Sequence, residues 1–305
     1  MVYLINEQFH NSIDSYKYLL NIYSQINSIS TYDANIIFDF SKTKVFACNF
    51  LSIIAIIINS AEQRNISVAI KLPNDNKLIT SSIPIKCFNY YANHKKSFFK
   101  PRLIIGNSNP KEVEDLLTKY LIESGIKDYS KLQTLLSELI ANIKMHVITH
   151  VEDCYGYIAS YVMPQEQILY ITIVNDGKSI KEILANNAII FDNDEDALRW
   201  ALKKTNSTRK DDESGGLGLY LLRKYTYELN GSIIICSGSS IVRIDKNCYT
   251  PDNENEILFQ INNQLLSYFH GTAITICIPY VESLNTDYKT EAIDINDTII
   301  NVEEY

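Results

Sequence analysis

Three side chains four residues apart, Glu138, Asn142 and His146, raise the first chemical question. They fall in a run whose apolar positions, Leu132, Leu135, Leu136, Leu139, Ile140, Ile143 and Val147, repeat at helical spacing. That spacing predicts a helix over 130–148. A carboxylate, an amide and an imidazole then share one stripe and can reach a single bound group. The plainer alternative is the solvent-facing stripe of an amphipathic helix. A second candidate is Ser214-Gly-Gly-Leu-Gly-Leu-Tyr220, where Gly215, Gly216 and Gly218 open a helical run from Leu219 to Leu229. Glycines at a helix start let backbone N–H groups approach a phosphate, and the helix N-terminus favours its charge. No Gly-Lys-Ser/Thr follows, so this is not a Walker loop. No strand leads directly into a G-x-G-x-x-G spacing, so it is not a Rossmann turn either. Two strands complete the set. One, Gln167 to Val174, runs into Asn175-Asp-Gly-Lys-Ser-Ile180, and the other follows His270-Gly-Thr272.

The elements that hold these residues belong to a chain of 305 residues, long enough for two domains. Lys and Arg number 28 against 36 Asp and Glu, and 28 − 36 = −8 disfavours a general affinity for nucleic acid or an anionic membrane. No stretch approaches the roughly 18–20 apolar residues of a membrane span. Phe50 to Ile58, nine residues with Ser52 among them, suits a buried helix. The N-terminus lacks a basic start and a cleavage site, so no secretion signal is expected. Six scattered cysteines (48, 87, 154, 236, 248, 277) form no CxxC pair and suit reduced thiols in a cytoplasm. All ten glycines lie at or after Gly106. The boundary is therefore expected in His94 to Arg102, where charge clusters and Pro101 interrupts any helix. Phe98 and Phe99 among those lysines invite a nucleic-acid reading, but a hinge with solvated lysines fits the acidic whole better. No internal repeat is visible.

In the first part, Ile36 to Phe40 reads as a strand, Phe50 to Arg64 as a helix and Ser67 to Leu72 as a second strand. This is a βαβ unit with parallel strands. With Asp39-Phe-Ser41 and Phe46 at the turn, it resembles the STAS domain, named after sulphate transporters and anti-sigma antagonists. The resemblance implies a docking module. Its phospho-acceptor position falls on Cys48 or Asn49, so no phospho-switch is expected there, and Ser52 reads as a packed helix hydroxyl.

In the second part, the order of the pieces carries the signal. Glu-Leu-x-x-Asn on a helix, a strand ending in Asp-Gly, Gly-Gly-Leu-Gly-Leu into a helix, and Gly-Thr before a final strand closely resemble the GHKL ATPase domain. That domain is shared by gyrase, heat-shock chaperones, MutL-type repair proteins and histidine kinases. The likeness covers roughly residues 105–282. The fold class it implies is α/β (α+β): a small STAS-like α/β domain at 1–100, then a two-layer α/β sandwich with a mixed sheet, the Bergerat ATP-binding fold, at 101–282, and an acidic tail at 283–305. By the same resemblance Glu138 is the general base, Asn142 ligates Mg²⁺ through its amide oxygen, and His146 stands near the phosphates, with Met145 where a lysine is common. Gly215, Gly216, Leu217, Gly218 and Leu219 match the phosphate cradle, and Thr272 matches the hydroxyl that holds adenine. Asn175, followed by Gly177, takes the position of the base-reading aspartate, and Ser179 replaces a second glycine. An Asn oxygen accepts from the adenine amine, and the flipped amide donates to a guanine carbonyl, so weaker discrimination against GTP is expected than an Asp gives. Asp176 is expected to be a turn residue.

Lys181 to Ser214 is a long polar connection of the kind that forms lids. Ser207, Thr208 and Arg209 either close over the γ-phosphate or belong to a surface loop. The acidic run from Asp192 to Asp196 reads as a solvated helix start. The expected function is Mg-dependent ATP binding and hydrolysis, relayed to a partner-binding STAS-like domain and compatible with a homodimer. The alternatives are a serine/threonine kinase of the anti-sigma type and an ATP-gated docking module. A sensor histidine kinase needs a phospho-accepting histidine before the ATP boxes, and neither His10 nor His94 has that context. Too little chain follows Pro279 for a topoisomerase or MutL-type transducer.

Overall fold

Asx and hydroxyl caps start several helices here, and apolar burial holds them. The Ser12 hydroxyl accepts the Ser15 N–H at 3.2 Å and opens α1 (Ile13–Asn27). In the computed structural model the described residues are 1–29, 34–43, 45–71, 78–80, 98–104, 110–123, 129–143, 155–163, 167–204, 206 and 218–279. The first half carries β1 (Val2–Leu4), β2 (Gln8–Phe9), α1, β3 (Asn35–Asp39), β4 (Val45–Phe46), α2 (Leu51–Gln63), β5 (Ser67–Lys71) and β6 (Leu78–Thr80). Strands β1, β3 and β5 lie parallel in that order, and β6 closes the edge antiparallel. The β3–α2–β5 unit is the one its sequence pattern predicts. Five isoleucines crowd α2, a β-branched content that is poor for a helix by itself. Packing overrides propensity, because Ile53, Ile54, Ile56, Ile57 and Ile58 are all buried. The helix stops where Asn65 adopts φ +57° and the Ile66 N–H returns to the Ala61 carbonyl at 2.9 Å.

The second half carries β7 (Phe98–Ile104), α3 (Pro110–Glu123), α4 (Tyr129–Ile143), β8 (Gly156–Met163), β9 (Ile168–Asn175), α5 (Ile180–Asn186), α6 (Asp194–Ala201), α7 (Gly218–Glu228), β10 (Ser232–Asp245) and β11 (Ile261–Pro279). The sheet order is β10-β11-β9-β8-β7. The resemblance implied a mixed sheet, but every described pair in this one is antiparallel. The connections explain it. Neighbours β8–β9 and β10–β11 follow each other directly in the chain, and β11 slots between β9 and β10, which the helical crossover leaves parallel but apart. The sheet that mixes both directions is the N-terminal one. The expected hinge also differs, since from Phe98 onward it is the edge strand β7, with Phe98 opposite Tyr161. Helix α4 is described to Ile143, and His146 and the 283–305 tail lie outside the described residues.

Alternation along these strands makes two apolar faces. Leu169, Ile171 and Ile173 of β9, with Ile274, Ile276 and Ile278 of β11, share one core with Leu121 of α3, Leu135 and Leu139 of α4, and Leu222 of α7. On the opposite face Val174, Ile234, Cys236 and Ala273 join one core with Tyr16 and Leu19 of α1 and Phe50 and Ile54 at α2. The second sheet and its own helices make two layers, and the N-terminal helices cover the opposite face, so the whole stacks as sheet, helices, sheet, helices. Helix α2 is apolar on every side because both sheets flank it. Among the described residues no helix is long and apolar enough to cross a membrane.

A buried polar ring pins the two halves. The Tyr16 hydroxyl meets Asn11 Oδ1 at 2.7 Å and the Thr275 hydroxyl. The Thr275 and Thr172 hydroxyls are 2.7 Å apart, and Asn49 Nδ2 donates to Thr172 at 2.9 Å and to Asn11 Oδ1 at 3.3 Å. Each hydroxyl has one proton, so one direction satisfies all three: Asn49 to Thr172, Thr172 to Thr275, Thr275 to Tyr16, Tyr16 to Asn11. Asn11 Nδ2 adds a contact to Cys277 Sγ at 3.2 Å. Burial pushes the Tyr16 phenol well above its ordinary value, which keeps it a neutral donor.

Candidate functional site

On the helix-side face, apolar rows cross four strands and then give way to a polar one. Ile158, Ile173, Ile274 and Ile235 lie side by side on β8, β9, β11 and β10. One step along each strand on the same face stand Gly156, Asn175, Thr272 and Ser237, also in register. Asn175, Thr272 and Ser237 are buried. Gly156 contributes no side chain to the row. The strands thus bring together Asn175, Gly177 and Thr272 from the sequence-predicted set, with Ser237 as a member the sequence reading gave no role.

Each row member has defined partners. Asn175 Oδ1 accepts the Gly177 N–H at 3.3 Å, an Asx turn that caps the strand. The reversed amide would set N–H against N–H, so Nδ2 is the outward atom, and it has no partner among the described residues. The Thr272 hydroxyl lies 3.0 Å from that of Ser237. Ser237 Oγ also accepts the Ile180 N–H at 2.9 Å and reaches the Gly271 carbonyl at 3.1 Å. Gly271 has φ +140°, and a Cβ there would fall 2.1 Å from the Asn175 carbonyl oxygen. Only glycine permits this close approach of β11 to the Asn175 turn. Ser179, where the resemblance has a glycine, is instead the N-cap of α5. Its hydroxyl accepts the Glu182 N–H at 3.2 Å, while Glu182 accepts the Ser179 N–H at 2.7 Å. Its hydroxyl also lies 2.8 Å from the Tyr268 hydroxyl, and Glu182 is 3.3 Å from His270 Nδ1. The rim is therefore held by Ser179–Tyr268 and Glu182–His270.

Two carboxylates beside the row differ from their sequence expectation. Asp176 is more than a turn residue. Its carboxylate accepts the Tyr155 N–H at 2.7 Å, and desolvation raises its pKa to about 6 against that lowering bond. Tyr157, on the face covered by α2, has its phenol raised by burial first and by the Asp176 and Glu62 charges after it. Asp194, read as part of a solvated acidic run, is buried, although Asp192 and Asp196 are exposed. It takes the Ser239 N–H at 3.0 Å and the Ser239 hydroxyl at 2.6 Å. A Cβ on Gly238, where φ is +62°, would come within 2.1 Å of Asp194 Oδ1. The Gly238–Ser239 pair, with strand bulges on either side of Gly238, was the available signal for this acceptor. The connection from Lys181 is likewise not one open lid, since α5 and α6 occupy much of it.

Glu138 is half-buried on α4, which packs against α7, with Lys131 and Glu228 paired at 2.7 Å between them. Gly218 and Leu219 start α7. A buried Arg223 fixes that helix by donating to the carbonyls of Glu254 and Glu256, and Tyr220 donates to the Glu254 carboxylate at 2.5 Å. Of Asn142 only the backbone in α4 is described, and Thr208, Arg209, Gly215, Gly216 and Leu217 lie outside the described residues. The described arrangement offers a buried donor and a hydroxyl at the strand ends, under a helix layer that carries a carboxylate. No family model matches the chain, and no curated protein matches it either.

Proposed function

We propose that the chain binds Mg·ATP against the helix-side face of the second sheet, hydrolyses it, and relays the change to its N-terminal module. The observation that carries this reading is the register that sets Asn175 beside Thr272 at the strand ends, with Gly271 pressed against the Asn175 turn. These are the two positions to which the GHKL resemblance gives the base. Asn175 and Thr272 hold the base, and Gly218 and Leu219 at the start of α7, with Gly215 to Leu217 before them in sequence, take the phosphates through backbone N–H groups. Asn142 holds Mg²⁺, a hard cation that keeps phosphate oxygens and water as its other ligands. Glu138 orients and deprotonates the attacking water. The relay runs through β9 and β11, which carry Asn175 and Thr272 on one face and Thr172 and Thr275 on the other. The Asn49 and Tyr16 bonds to those threonines tie strand movement to α1 and α2. Asn49 is, with Cys48, one of the two residues at the phospho-acceptor position of the STAS resemblance, and its Nδ2 is committed to Thr172 and Asn11.

The test follows the γ-phosphate of labelled ATP with the full chain and Mg²⁺, beside Glu138→Ala. Release of label as free phosphate, lost in the variant, is the expected result. Label carried onto protein makes the reaction phosphotransfer, and label left on ATP by the wild type removes hydrolysis from the account.

A further inference from the structure

Ser237 closes the polar row, and its proton count decides how the row faces a ligand. The Ile180 N–H can only donate to its oxygen, and the Gly271 carbonyl can only accept from it. The one assignment that makes all three contacts hydrogen bonds gives its single proton to Gly271. Toward Thr272, 3.0 Å away, Ser237 is then an acceptor, and the Thr272 proton is drawn to it. What Thr272 has left is lone pairs. Next to it, Asn175 Oδ1 is held by the Gly177 N–H, so the amide presents Nδ2–H. The row thus offers a donor and an acceptor on adjacent strands, about 5 Å apart.

We infer that Ser237 is a positioning residue that fixes Thr272 as an acceptor, and that the Asn175–Thr272 pair receives any purine with an acceptor next to a donor on its edge. Adenine meets it with N1 and the 6-amine. A 6-oxopurine meets it equally well, with O6 and N1–H. This rests on the nucleotide-binding reading above and adds a substrate class to it: guanosine and inosine triphosphates bind as adenosine triphosphate does. A carboxylate at 175 would accept only, and would repel the 6-oxo group.

The test is equilibrium binding of Mg²⁺ complexes of ATP, GTP, ITP and purine riboside triphosphate, which lacks any 6-substituent, to the full chain. ATP, GTP and ITP are expected within about threefold of one another, and the riboside about tenfold weaker, the worth of one hydrogen bond. In Ser237→Ala the gap closes, with ATP, GTP and ITP converging on the riboside whatever its own affinity becomes, an effect that loss of stability alone does not produce. Should that variant fail to fold, Thr272→Val must abolish the same gap. A gap that survives in Ser237→Ala overturns the positioning role, and GTP more than about tenfold weaker than ATP overturns the donor at 175. Absence of binding by every nucleotide overturns the nucleotide reading itself, and this inference with it.

Discussion

Asp176 makes the most quantitative test of how the turn is built. It follows Asn175 directly, sits beside the α2-covered face, and accepts the Tyr155 N–H at 2.7 Å. Desolvation raises its pKa from 3.8 to about 6. The folded state thus holds this proton more tightly than the unfolded chain does. Its stabilising contribution is full below pH 4 and is lost as pH rises through about 6. Two units at about 1.4 kcal/mol each put the cost of the buried charge at about 3 kcal/mol at neutral pH. Asp176→Asn is nearly isosteric, its oxygen can still accept the Tyr155 N–H, and it carries no charge. Urea unfolding of both proteins at intervals from pH 4 to 7 measures the difference. The curves should coincide near pH 4, with the variant pulling ahead by about 2–3 kcal/mol above pH 6. A constant offset across that range, or a variant less stable at pH 7, refutes the reasoning.

Three further substitutions probe the frame. Tyr16→Phe opens the interface ring and should cost about 1–2 kcal/mol in urea unfolding while leaving one cooperative transition. Two separated transitions would show that the halves do not share a core. Gly271→Ala forces a Cβ against the Asn175 carbonyl at a φ that only glycine adopts with ease, and should cost roughly 3 kcal/mol or more in the same assay. Gly238→Ala should cost about 1–2 kcal/mol, and Asp194→Ala in the same chain should recover part of it, since the two changes share one space. Strict additivity in that cycle would contradict the contact.

Periodic elements were legible in the chain. The β3–α2–β5 unit, the apolar stripe of α4, and β9 running into the Asn175 turn follow from alternation, helical spacing and turn residues. What the chain hid depends on long-range register. Ser237 looks like an ordinary strand end until Thr272, 35 positions away in number, comes beside it and Asn175, 62 positions away, completes the row on the next strand. Asp194 was concealed by exposed acidic neighbours, because only the partner, Ser239 behind a left-handed glycine, says which carboxylate turns inward. The antiparallel order could not be read from strands whose neighbours are set by the β11 return. The docking of the two halves had one local sign: isoleucines on every side of α2 need cover from two directions.

The central claim is that β9, β11, α4 and α7 frame a nucleotide site. A crystal structure of the full chain with Mg²⁺ and a non-hydrolysable ATP analogue tests it most directly. The account predicts the base against Asn175 Nδ2 and the Thr272 hydroxyl, with the phosphates at the start of α7 below Glu138. A nucleotide found elsewhere on the molecule, or its absence at saturating concentration, would contradict it.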